Sequence, residues 1–74
     1  MKTVIIKYDV GDLVAVVDID GLHFGTVMHA QWTSTGSTYY TVEYTQQNEG
    51  GNSVPVYWEF SEEEIDKAMA VARR

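Results

Sequence analysis

The sequence predicts a mainly β domain that ends in one short helix, and three observations carry that prediction. Runs rich in β-branched and aromatic residues alternate apolar with polar side chains, the period-2 signature of strands. Gly and Asp-Gly punctuate those runs at short intervals, as tight hairpins require. After Ser61 the period lengthens to that of a helix. A chain of 74 residues has room for one domain, spanning 1–74, with a small core.

Residues 2–8 alternate, with Val4, Ile6 and Tyr8 on one face, and read as a first strand. Residues 9–12 make a turn. In the strand 13–19, Leu13, Ala15, Val17 and Ile19 share one face while Val14 and Val16 are apolar on the other. Such a two-sided pattern suits a strand covered on both sides, or an oligomer contact. Asp20-Gly21 turns the chain into residues 22–33. There Leu22, Phe24, Met28, Ala30 and Trp32 fall on one face, and His23, Val27, His29 and Gln31 on the other. Gly25 in mid-strand marks a bulge or bend of the kind that closes a small barrel.

After a turn at 34–37, the strand 38–46 groups Tyr40, Val42 and Tyr44 opposite Tyr39, Thr41, Glu43 and Thr45. The polar loop 47–53, with Gly50-Gly51, is exposed or flexible. The strand 54–60 aligns Val54, Val56, Trp58 and Phe60, and Pro55 marks it as an edge or sits on a free side. A helix over about 62–73 follows. Ser61 and Glu64 form a capping box. Three acids in the first turn, and Lys67, Arg73 and Arg74 beyond, complement the dipole. Ile65, Ala68, Met69 and Ala72 make a narrow apolar stripe for the barrel.

The segments Tyr8-Asp9-Val10-Gly11-Asp12-Leu13-Val14, Gly25-Thr26-Val27 and Tyr40-Thr41-Val42, followed by the capped helix, resemble the small SH3-like barrels. Tudor-like and KOW-like domains share this pattern, as do short phage and prophage proteins. The resemblance covers about residues 8–65 and implies a five- to six-stranded SH3-like barrel with a short C-terminal α-helix. Ser53-Val54-Pro55-Val56-Tyr57 is also similar to the Val-Gln-Ile-Tyr strand of the type II dihydrofolate reductases. Pro55 stands where that family has Gln, and the strand after Gly11-Asp12 lacks its Lys.

Composition narrows the function. Eleven acids against five bases give a formal charge of −6. Nucleic-acid and anionic-membrane binding draw on Lys and Arg, so both are disfavoured and a protein partner is expected. There is no Cys, hence no disulfide and no thiolate ligand for zinc. His23 and His29, six residues apart on one strand, are expected on the same face about 20 Å from each other, too far for one metal ion. No nucleophile–base pair or phosphate cradle is recognisable. The reading is therefore a non-enzymatic module with no cofactor and no metal. The apolar run at the start stops at Lys7, short of a signal peptide's apolar region, so the cytoplasm is the expected location.

Tyr39 and Tyr57 are the candidate binding residues, because each lies opposite its strand's core residues. Exposed aromatics build recognition surfaces and cages for cations. Glu43 and Glu59 share those faces and would supply the acid. The same tyrosines would alternatively pack on the loop 47–53, on the helix or on a second subunit. Charge suggests another function, an acidic inhibitor that occupies the nucleic-acid site of a basic enzyme through Asp18, Asp20 and Glu62 to Glu64. A homodimer through the open edge of 2–8 is a further expectation.

Overall fold

The computed structural model describes residues 6–73. Four strands, β1 (Leu13–Asp18), β2 (Gly21–Trp32), β3 (Thr38–Gln47) and β4 (Ser53–Ser61), precede the helix α1 (Glu62–Ala72). They form one antiparallel meander in the order β1-β2-β3-β4. The described residues thus make an open four-stranded antiparallel sheet with one C-terminal helix. The strand expected at 2–8 lies mostly outside the described residues. Within them, residues 6–8 are not a strand.

Residues 7 and 8 instead tie the helix to the sheet. The Tyr8 ring meets Tyr40 edge-on, with centroids 5.5 Å apart, and its hydroxyl donates to Asp66. The Lys7 backbone N–H donates to the Tyr40 hydroxyl at 3.1 Å, and that hydroxyl donates to Glu62 at 3.1 Å. Tyr40 is fully buried, so these bonds satisfy a phenol that would otherwise be costly inside the core. Lys7 also pairs with Asp66 at 2.9 Å, half exposed, and such surface pairs contribute little.

The core lies on the inner face of the sheet. Val14 and Val16 of β1, Val27 of β2, Tyr40, Val42 and Tyr44 of β3, Phe60 of β4 and Ile65 of α1 form one buried cluster. Gly25 belongs to this face. A Cβ there would stand 2.5 Å from the Glu43 carbonyl oxygen and 2.7 Å from Val42 Cγ1, so the close approach of β2 to β3 requires glycine. The bend expected near Gly25 comes slightly later, as a register shift between Val27 and His29.

That shift corrects the expected faces of β2. An extra residue at Met28 reverses the alternation. His23 pairs with Val16 on the inner face, whereas His29 pairs with Thr41 on the outer one. The two histidines therefore do not share a face. Val27, Ala30 and Trp32 line the inner side, while Leu22 and Phe24 point outward.

The helix begins as expected. Ser61 Oγ accepts from the Glu64 N–H and Glu64 reaches back to the Ser61 N–H, which satisfies two orphan donors of the first turn. At its other end, among the described residues, the last turn holds no base and Arg73 is the C-cap. Ile65 and Ala68 are buried, and the helix packs chiefly along β1. The Ala15 N–H donates to Met69 Sδ at 3.2 Å, so the helix covers the outer edge of β1. Because the helix lies over β1, the β4 end of the inner face stays open. Trp58, paired with buried Val42, is 63% exposed there.

Candidate functional site

The unbroken register of β3 with β4 decides where the candidate residues stand. Glu43 pairs with Tyr57, Thr41 with Glu59, and Tyr39 with Ser61. Directly paired residues share a face, and the inner face is the one with Tyr40, Val42 and Phe60. Tyr39, Glu43, Tyr57 and Glu59 all stand on the outer face. Tyr57 is exposed, and Tyr39 and Glu43 are half-buried.

The four residues do not form one cage. Tyr39 lies four residues along β3 from the position opposite Tyr57, about 13 Å on an extended strand. A cation must sit within about 6 Å of a ring centroid to gain from it. The face therefore holds two aromatic stations in a line, Tyr57 with Glu43 directly opposite it and Tyr39 with Glu59 on the diagonal, at the level of Thr41. Hydrogen bonding to the Glu43 carboxylate, and its negative charge, push the Tyr57 phenol above its ordinary pKa. Glu59 accepts a hydrogen bond from Gln31 Nε2 of β2. Both carboxylates are thus held in place by neighbours, and the Gln31–Glu59 bond crosses β3 beside Tyr39 and Thr41.

A cleft of about 590 Å³ adjoins Tyr39 and Ser61 at the helix N-terminus, lined also by Thr38, Glu62, Glu63 and Asp66. Its acids already serve the fold. Glu62 accepts from Tyr40, Glu63 pairs with Lys67 at 3.4 Å, and Asp66 accepts from Tyr8 and Lys7. Those two donors hold the Asp66 carboxyl below its ordinary pKa.

At the far end, Asp18 and Asp20 engage the β1–β2 turn. Asp18 accepts from the Tyr44 hydroxyl at 2.5 Å and from the Ile19 N–H at 2.7 Å. Asp20 lies 2.7 Å from His23 Nε2, and the His23 ring packs on Tyr44 at 5.1 Å between centroids. Among the described residues no group of three or more His, Asp and Glu is placed to hold a metal ion.

The outer face has a second half that the candidate binding residues do not include. On the β1–β2 hairpin Leu13, Val17, Leu22 and Phe24 are all exposed. The signal was the two-sided apolar pattern of β1: Val14 and Val16 took the core, which left Leu13 and Val17 outside. No helix among the described residues is long and apolar enough to cross a membrane. No protein-family model, no curated protein and no solved structure matches the chain.

Proposed function

We propose that the chain is a non-enzymatic, cytoplasmic binding module that takes an extended basic segment of another protein on the outer face of β3 and β4. The observation that carries this is the line of two aromatic–acid stations about 13 Å apart. An extended peptide rises about 3.3 Å per residue, so two Lys or Arg side chains four residues apart match the stations. Each cation would gain roughly 0.5–1 kcal/mol from an exposed ring, and Glu43 and Glu59 supply the opposite charge. The fold is read as SH3-like, in the Tudor or KOW manner. The support is the Gly11-Asp12 turn before β1, Gly25-Thr26-Val27 at the bend and Tyr40-Thr41-Val42 in β3. On that resemblance a phage-encoded accessory role fits.

The acidic-inhibitor reading finds less support in the placement of its residues. Asp18 and Asp20 lie beside the β1–β2 turn and Glu62 to Glu64 at the other end of the sheet, so these five do not make one anionic patch. Titration with an extended peptide carrying two arginines four residues apart tests the proposal. Binding should weaken at least tenfold when the arginines are moved to adjacent positions, and likewise in Tyr57→Ala or Tyr39→Ala. Equal affinity for both spacings, with no effect of either alanine, would sink it. Binding that follows total peptide charge alone would favour the inhibitor reading.

A further inference from the structure

On the paired segments 13–18 and 21–26 of the β1–β2 hairpin, the outward positions carry no ionisable group; His29, beyond the bulge, is the next on that side. Val17 stands opposite Leu22, Ala15 opposite Phe24 and Leu13 opposite Thr26. Leu13 is 69% exposed, Val17 54%, Leu22 39% and Phe24 59%, and Ile19 at the tip of the hairpin is 96% exposed. Two ionisable side chains of the hairpin are turned elsewhere: Asp18 binds Tyr44 of the inner face and His23 packs on the same ring, while Asp20 in the turn is held by His23.

We propose that this patch is a self-association face, on which a second copy of the chain packs its own β1–β2 hairpin about a two-fold axis. Area is the first argument. The five side chains expose on the order of 550 Å² per copy, so a contact covering all of them buries at most about 1,100 Å² over two copies, the size of a weak, concentration-dependent dimer. Charge is the second. Two chains of net charge −6 repel, and an isologous contact sets each patch against itself. An uncharged apolar patch is where two such copies meet without opposing like charges. A basic partner is drawn instead to the acidic half of the face.

Among the described residues, the surroundings leave the patch free for this use. The outer edge of β1 is already covered by α1, so the hairpin associates by its face, not by that edge. The chain enters the described structure on the inner side, where the backbone of Lys7 meets Tyr40. The proposed peptide stations on β3 and β4 lie beside the patch and stay open in the dimer.

Sedimentation over a concentration series tests the inference on the full chain. The wild type should move from monomer to dimer, and the dimer should tighten as salt screens the repulsion. Phe24→Asp should raise the dissociation constant at least tenfold. Trp58→Asp, an equally exposed aromatic at the open end of the inner face, should leave it unchanged. Circular dichroism checks folding. If Phe24→Asp does not fold, Val17→Thr, β-branched and on the exposed face, should still weaken the dimer severalfold. A wild type that stays monomeric throughout overturns the inference, as does a Trp58→Asp variant that dissociates as readily as the Phe24 or Val17 variant.

Discussion

The Tyr44 hydroxyl donates a 2.5 Å hydrogen bond to the Asp18 carboxylate, tying β3 to the end of β1. Burial, and then this bond, push the Tyr44 phenol up to about 12. The same bond, with the Ile19 N–H, holds Asp18 below its ordinary pKa. A raised phenol contributes stability that is complete below its unfolded value, about 10, and lost as pH rises through the folded one. A depressed carboxyl contributes above about 3.9 and is lost as pH falls through its folded value. Tyr44→Phe should therefore be less stable than wild type at neutral pH. That difference should shrink in acid and again as pH rises through about 12. Thermal melts of the two proteins across pH check this.

Glu43 and Tyr57 supply a test of the outer-face geometry. Glu43→Gln removes the charge and the strongest acceptor beside Tyr57, so the Tyr57 phenol should return towards about 10. Tyr44 should remain up at about 12, because its burial and its bond to Asp18 are untouched. Titration of the tyrosine ring signals by NMR reads both groups in one experiment.

Gly25→Ala should destabilise the sheet. The new methyl meets the Glu43 carbonyl oxygen at 2.5 Å, and a backbone atom in a paired strand cannot swing aside. Overpacking of this kind costs about 1–3 kcal/mol, measurable as a lowered denaturant midpoint.

The helix separates two kinds of contribution. Ile65 is fully buried in the core, and Ile65→Ala should cost about 2–5 kcal/mol. Ser61→Ala removes the capping acceptor for the Glu64 N–H and should cost about 1 kcal/mol. Equilibrium unfolding of both variants ranks packing above capping, and a reversed order would contradict the placement of Ile65.

Much of this architecture was legible in the residues. The runs bounded by Gly11-Asp12, Asp20-Gly21, Gly36 and Gly50-Gly51 became the four strands with ends shifted by a residue or so. Tyr40, Val42 and Tyr44 took the core because β3 alternates without interruption between two neighbours. That same continuity set Tyr39, Glu43, Tyr57 and Glu59 on one outer face. The faces of β2 were not legible, since apolar residues stand on both parities and nothing in Thr26-Val27-Met28-His29 reveals the extra residue. Counting by twos put His23 with His29, and the bulge separated them. Tyr8 kept its apolar role but against Tyr40 and the helix, a contact 32 residues away that no local pattern encodes. Trp58 had the right parity, yet its exposure depends on where the helix lies, which is a tertiary matter.

The position of α1 along β1 also sets a clock. Every strand pairs with its neighbour in the chain, and such hairpins form in about 1–10 μs once both strands are available. The contact of Ala15 with Met69 spans 54 residues. At a synthesis rate of about 5–20 residues per second, β1 waits roughly 3–10 s for the helix that covers it. During that interval Val14 and Val16 have no Ile65 against them, so a nascent sheet would offer its inner face to chaperones before it could bury it. The fold is complete only when its most distant elements meet.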